Sequence, residues 1–187
     1  MENQKDKNID GKERSQIILQ NILTRTSDRM FDPSKEVGPD DLQTILQAAM
    51  AAPTAVNRQP WQFVVVTNRD LLNKMAESLP YCHMANQATA AIVVCGDKSR
   101  FLEGIDDELW VQDVSAASEN ILLASHALGL GSVWTCVYPH TDRMGIVSEL
   151  LQLPEDFVPF NVIPIGYVSQ SHTPINKWNP AAITYRT

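Results

Sequence analysis

Short apolar runs rich in β-branched residues alternate with helical stretches along nearly the whole chain. The runs WQFVVVT and AAIVVCGD are too short and too β-branched for helices, so they predict buried strands. Helical segments surround them, and the longest is VQDVSAASENILLASHAL at residues 111–128. Apolar strands among helices need a sheet that is covered on both faces, which predicts an α/β or α+β domain.

The other elements are predicted from the same signals. A helix is expected to begin near Ser15, and a second one has Pro39 in its first turn and stops before Pro53. RDLLNKMAESL and DRMGIVSELL predict two more helices, whereas SVWTCVY and FNVIPIGYV predict two more strands. We expect residues 1–14 to be a disordered lead-in and residues 15–187 to form one domain, whose tail from about 168 lies extended over its own or a partner's surface.

Charge and cysteine content exclude several classes of function. The 187 residues carry 15 Lys+Arg against 22 Asp+Glu, a formal net charge of −7. This charge argues against nucleic acid or an anionic membrane as the main partner, so any anion site must be local. Cys82, Cys95 and Cys136 form no CxxC pair and are odd in number, which predicts reduced thiols rather than disulfides or a metal site.

The sequence contains no candidate membrane anchor. No run approaches the roughly 20 apolar residues of a transmembrane helix, and residues 1–14 lack the apolar core of a signal peptide. The default expectation is a cytoplasmic protein without membrane contact, and an exported chain whose signal has already been removed is the alternative.

The segment RTSDR at residues 25–29 is a candidate anion site. Two guanidinium groups flank two hydroxyl groups directly after a helix ends, and this set of donors suits one phosphate. The alternative is that the arginines only favour the C-terminal end of the helix dipole while Ser27 caps the next segment of the chain.

The segment PTAVNRQP at residues 53–60 is the second candidate. Two prolines stiffen a loop that carries Thr54, Asn57 and Gln59, and a rigid loop of this kind can present donors and acceptors to a planar, polar-edged heterocycle. The alternative is a loop whose amides satisfy only their own backbone. Trp61, directly behind it, is predicted to be core.

The segment GLGSVWTC leads from a helix into a strand. A dinucleotide-binding fingerprint needs the opposite order and a third glycine, so these glycines are interpreted as helix C-caps that allow close backbone approach. The four histidines are scattered without the spacing of a catalytic or metal-binding set.

In their order along the chain, RTSDRMF, AAMAAPTAVNRQPWQFVVV, NILLASHALGLGSVWTCVYP, VIPIGYV and INKW resemble the FMN-dependent nitroreductase family over residues 17–187. The resemblance implies an α+β nitroreductase-like fold with a central mixed sheet covered by helices. It also implies an intertwined homodimer with each FMN at the interface. Small residues in the long helix and the apolar-poor tail suit such a dimer.

The resemblance assigns site residues by position. At the phosphate end they are Arg25, Ser27 and Arg29, with Thr26 in place of a second basic residue and Lys177 from the tail. The flavin-wrapping loop corresponds to Pro53, Thr54, Ala55, Asn57 and Gln59. The segment along the flavin ring near N5 corresponds to Trp134, Thr135, Cys136 and Val137, where many relatives have a smaller or acidic residue in the place of Cys136.

The implied activity is a ping-pong reaction. Hydride passes from NADH or NADPH to FMN, and electrons then pass to a nitroaromatic, quinone or related small acceptor. No catalytic side chain and no metal are assigned. Two alternatives are a different reductive flavin chemistry (enone reduction, dehalogenation or flavin fragmentation) and a non-catalytic flavin-binding protein. The first would need additional substrate-binding residues, and no such set stands out between residues 80 and 112.

Overall fold

Helices and a five-stranded sheet make up the part of the chain that the computed structural model describes, namely residues 10–104, 107–170 and 172–187. The helices are α1 (Gly11–Thr24), α2 (Pro39–Met50), α3 (Arg69–Ser78), α4 (Leu109–Ala127) and α5 (Thr141–Leu151). The strands are β1 (Trp61–Val66), β2 (Ala90–Asp97), β3 (Gly131–Ser132), β4 (Thr135–Cys136) and β5 (Phe157–Gly166). None of these helices is long and apolar enough to cross a membrane.

The sheet has the order β1-β2-β5-β3, and β4 also pairs with β5. Its strand pairings within the described residues are all antiparallel, so the expectation of a mixed sheet is wrong for the single chain, whereas the α+β class is confirmed. In the antiparallel pair of β1 and β2, Val66 at the end of β1 pairs with Ala91 at the start of β2. Helix α3 leaves that end of the sheet, and residues 79–89 return to it before β2 begins.

Both faces of the sheet are covered, as the apolar runs predict. Alternate residues of β2 point to opposite sides. Ile92 and Val94 join a core with α2 and α4, while Val93 and Cys95 join a core with α3 and α5. Trp61 is buried in the first of these cores, which confirms its predicted place.

Helix α1 begins earlier than its apolar pattern suggests. Asp10 caps it, and its side chain accepts a hydrogen bond from the backbone N–H of Lys12 at 2.6 Å. Residues 11–14, which we expected to be disordered, therefore form the first turn, and residues 1–9 lie outside the described residues. Helix α2 has Pro39 in its first turn and stops before Pro53, as predicted, with Met50 as its last residue.

The single strand predicted at SVWTCVY is two short strands. Gly131↔Gly166 and Cys136↔Asn161 belong to one continuous register with β5. The ladder breaks opposite Pro164, which has no N–H to donate, and the contact from Val133 N–H to its carbonyl is long at 3.4 Å. The sequence pattern located the strand, but the missing donor on its partner interrupts it.

Candidate functional site

A buried carboxylate on α4 holds the proline-bracketed loop. Asp113 is only 7% exposed, and its Oδ1 accepts a hydrogen bond from the Ala55 N–H at 2.9 Å. Within the loop the Gln59 N–H donates to Thr54 Oγ1 at 3.1 Å, and the Gln59 amide donates to Asn57 Oδ1 at 3.0 Å. The amides thus partly satisfy one another, while Asn57 and Gln59 remain exposed.

The loop is strained. Val56, Asn57 and Gln59 have φ angles of 47°, 56° and 51°, in the left-handed region that non-glycine residues rarely adopt. Each such residue costs about 1–2 kcal/mol, and strain of this kind is found mainly where the surroundings hold it at a functional site. A plain connector between α2 and β1 would not need it.

The far end of the loop is held by Asp97, the last residue of β2. The Asp97 N–H donates to the Pro60 carbonyl at 3.0 Å, and the Gln62 amide donates to Asp97 Oδ2 at 3.0 Å. Burial opposes the charged form of Asp97, yet hydrogen bonds from Ser99 and Gln62 and the nearby Arg100 guanidinium hold its pKa below the usual value. The loop is therefore held at one end by the Asp113 carboxylate and at the other by the backbone N–H of Asp97.

The cluster at residues 25–29 combines two cations with acidic partners. Arg25 Nε lies 3.5 Å from Glu119 of α4, and its side chain is 16% exposed. Arg29 is exposed and donates to the Ser27 carbonyl at 3.2 Å. Asp28 is buried in the same segment. Asp28 belongs to RTSDR itself and Glu119 adds a second carboxylate, so this end of the site is less cationic than its two arginines alone indicate.

Thr26 forms a hydrogen bond within the cluster. Its hydroxyl donates to Asp28 Oδ1 at 3.1 Å, and the Asp28 N–H donates to the Ser132 carbonyl at 3.1 Å. A Cβ on Gly131 would lie 2.8 Å from Asp28 Cβ and 2.5 Å from a Val168 methyl, so only glycine allows this approach. The cluster is thereby fixed against β3, and the close approach expected at this glycine is made by the Asp28 and Val168 side chains rather than by another backbone.

The segment 134–137 presents alternate side chains to opposite faces. Thr135 and Val137 are buried, and the Thr135 hydroxyl donates to the Val162 carbonyl at 2.7 Å. Trp134 is half-buried on the α4 face, and Cys136 is exposed. A ligand along this segment would therefore contact the side chains of Trp134 and Cys136, but only the backbone of Thr135 and Val137.

The three cysteines are free thiols, as expected. Burial raises the pKa of Cys95 to about 12. Burial also raises the pKa of Cys82 to about 11, although the Thr135 hydroxyl, 3.8 Å from its Sγ, acts in the opposite direction. In the part of the chain that the structure describes, no three His, Cys, Asp or Glu residues are grouped to hold a metal.

Sequence patterns missed two features that shape the site, Asp113 and an aromatic cluster behind residue 134. The Trp134 ring packs edge-on to Phe160 with centroids 5.4 Å apart, and Trp110 of α4 packs edge-on to the same ring at 5.9 Å. Phe101 stacks on Trp110 at 4.8 Å. These residues come from distant parts of the chain, so no local spacing could reveal them, and Asp113 lies within an otherwise ordinary helical pattern.

Within the described residues, Lys177 forms no ion pair with the other predicted residues. It lies in the exposed tail, whose hydrogen bonds among residues 172–187 are local, such as Trp178 N–H to Asn176 Oδ1 at 3.0 Å. Within one chain, α4 joins the remaining parts: it contacts Arg25 through Glu119 and Ala55 through Asp113.

Comparison with known proteins identifies the family. The model of the Nitroreductase family matches residues 22–79 and 76–167. A Methanothermobacter thermautotrophicus protein with the provisional name NADH dehydrogenase/NAD(P)H nitroreductase is 46% identical over 175 residues, which cover 94% of this chain and 90% of that protein. A Parabacteroides distasonis crystal structure with the same provisional name has a TM-score of 0.85 at 43% identity, covering 91% of this chain and 98% of that one.

An FMN-dependent nitroreductase from Clostridium difficile R20291 has a TM-score of 0.82 at 25% identity, covering 90% of this chain and 99% of that one. The chain therefore shares its fold with these relatives. Within that fold, α4 contacts the strained loop through Asp113 and the arginine cluster through Glu119. The resemblance read from the sequence is confirmed, and the chain belongs to the nitroreductase family.

Proposed function

We propose that this nitroreductase-family enzyme binds FMN and uses NADH or NADPH to reduce nitroaromatic, quinone or related small acceptors by a ping-pong mechanism. The observation that carries the proposal is the loop at residues 53–60, which is strained, fixed at both ends and lined with exposed amides. The overall reaction with a nitro group is ArNO₂ + NAD(P)H + H⁺ → ArNO + NAD(P)⁺ + H₂O.

The donor set of the chain fits FMN. Arg29 and Ser27 are exposed and available to a phosphate, and Arg25 would join them by exchanging Glu119 for it. At the ring end, Asn57 and Gln59 supply both donors and acceptors to a polar heterocycle edge. The remaining predicted contacts are Thr26, Pro53, Thr54, Ala55, Trp134, Thr135, Cys136, Val137 and Lys177.

The chain's own part is to bind and to orient. Bound FMN supplies the transfer of two electrons from NAD(P)H to an acceptor on the same ring face. Trp134 and Cys136 would border that face, and the aromatic cluster packs behind Trp134. We assign no side chain as general acid or nucleophile.

A homodimer is part of the proposal. Helix α1 exposes a row of aliphatic side chains, which are Ile17, Ile18, Leu19, Ile22 and Leu23. The tail exposes Ile175, Trp178 and Tyr185, each at least 71% exposed. Apolar surface of this extent is typical of an interface, and a second copy that covers it would also bring Lys177 to a phosphate site. Sedimentation of the flavin-loaded protein at micromolar concentration tests this, and a monomer would contradict it.

The function is tested by identifying the cofactor and measuring turnover. The purified protein should be yellow, release FMN rather than FAD on heating, and oxidise NADH or NADPH steadily when 4-nitrobenzamide or a quinone is added. Colourless protein that stays colourless with excess FMN would refute the proposal. Bound flavin that neither NADH nor NADPH can bleach would instead indicate a non-catalytic flavin-binding protein.

A further inference from the structure

We propose that Arg143 and Tyr81 form a binding subsite beside Cys136 for the anionic group of an aromatic acceptor, so that the enzyme prefers acceptors carrying a carboxylate or a similar anion. This inference rests on the proposed function, because the Cys136 carbonyl that Arg143 contacts belongs to the segment along which the flavin and its acceptor would lie. It adds a substrate class to that function.

Arg143 lies next to the segment 134–137. It lies in the first turn of α5, and its guanidinium NH1 donates to the Cys136 carbonyl at 3.1 Å. Its Nε is buried and has no hydrogen-bond partner among the described residues. Across residues 10–104, 107–170 and 172–187, the ion pairs that form do not include Arg143. The guanidinium is therefore oriented by a neutral carbonyl, and its charge is not neutralised there.

Tyr81 places an aromatic ring against this cation. The Arg143 Cζ lies 6.0 Å from the centroid of the Tyr81 ring, within the range of a cation–π contact. Tyr81 is 78% exposed and has a φ of 61°, which is strained for a bulky residue. The next residue, Cys82, is fixed beneath Thr135 by the contact between its Sγ and the Thr135 hydroxyl. The strained backbone at Tyr81 thus holds an exposed ring close to the segment 134–137.

This pair supplies the substrate-binding set that the sequence between residues 80 and 112 did not reveal. Tyr81 lies in that range, but its partner comes from α5, so no spacing in the sequence links them. One guanidinium beside one exposed ring matches a ligand with one anion on one aromatic ring. Because the whole chain has a net charge of −7, an anionic acceptor needs such a local cation to approach.

The test compares two probes that differ in charge and little in shape, 4-nitrobenzoate and 4-nitrobenzamide. Each is titrated calorimetrically into the oxidised, FMN-loaded protein without NAD(P)H, so that binding is measured without turnover. Replacement of Arg143 by Gln retains an amide donor for the Cys136 carbonyl but removes the charge. We expect the affinity ratio of nitrobenzoate to nitrobenzamide to fall about tenfold in Arg143→Gln and to fall less in Arg143→Lys.

Arg14→Gln is the matched control, because it removes the same charge from an exposed position near the start of α1. It should leave the affinity ratio unchanged. Tyr81→Ala should weaken both probes together, since a ring that stacks on them does not distinguish their charge. A ratio that stays within about twofold of the parent in Arg143→Gln would overturn the inference.

Three further outcomes distinguish a failure of this inference from a failure of the proposed function. If Arg143→Gln leaves the affinity ratio intact but slows flavin bleaching by NAD(P)H, the cation serves a phosphate of the electron donor and the acceptor assignment is wrong. If the parent binds FMN and reduces 4-nitrobenzamide but shows no preference for nitrobenzoate, only this inference fails. A parent that neither binds FMN nor reduces 4-nitrobenzamide refutes the proposed function, and this inference with it.

Discussion

Replacing Asp113 should release the loop at residues 53–60 and weaken FMN binding. Asp113 is buried and its Oδ1 accepts the Ala55 N–H at 2.9 Å. A hydrogen bond to a charged group is worth about 1.5–3 kcal/mol. That value is comparable with the strain of about 1–2 kcal/mol in each left-handed residue of the loop, so Asp113→Ala lets the loop relax.

The relaxed loop must return to its strained form when FMN binds, and the cost appears in the dissociation constant. We expect Asp113→Ala to raise the Kd of FMN about tenfold to a hundredfold, which is the same 1.5–3 kcal/mol. Asp113→Asn keeps an acceptor oxygen of the same shape, so it should lose less. The assay is titration of apoprotein with FMN followed by quenching of flavin fluorescence.

A matched control distinguishes loop release from general damage. Asp70→Ala removes an exposed carboxylate from the first turn of α3 and should leave the Kd of FMN unchanged. Urea unfolding of each apoprotein reports the global stability separately. The reasoning is refuted if Asp113→Ala binds FMN as tightly as the parent, or if Asp113→Asn loses as much affinity as Asp113→Ala.

Three other predictions concern the phosphate end, the core and the thiols. Arg25→Ala and Arg29→Ala should each cost about one to two decades of FMN affinity at low salt, a smaller loss at high salt because added ions screen the missing charge, and little riboflavin affinity; equal binding of FMN and riboflavin by the parent would contradict this. Gly96→Ala should lower the unfolding free energy by about 1–3 kcal/mol, since its Cβ would lie 2.5 Å from an aromatic ring atom, and wild-type stability in urea would disprove the clash. Burial raises the pKa of Cys82 to about 11 and of Cys95 to about 12 from 9.0. The folded state therefore favours the neutral thiols, a contribution complete below about pH 9 and lost as pH rises through these values. Stability measured across that window should fall by up to about 1.4 kcal/mol per pH unit for each thiol, and a flat profile would argue against it.

The sequence alone determined the elements and the family because both depend on local patterns. Periodicity located the five helices and the main strands, and the first-turn position of Pro39 is set by chemistry within a few residues. The ordered motifs likewise pointed to the nitroreductase family, which the comparisons confirm. Local patterns did not predict every helix boundary. Asp10 caps α1, so that the helix begins within a polar segment.

Only the tertiary structure decided strand direction, charge balance and the partners of the site residues. The antiparallel register depends on how residues 79–89 return to the sheet, and the break between β3 and β4 depends on Pro164 of another strand. Asp113 and Glu119 are ordinary helical residues until folding brings Ala55 and Arg25 to them. Contacts between residues far apart in the chain leave no local pattern, because each is selected by packing in three dimensions rather than by its neighbours in sequence.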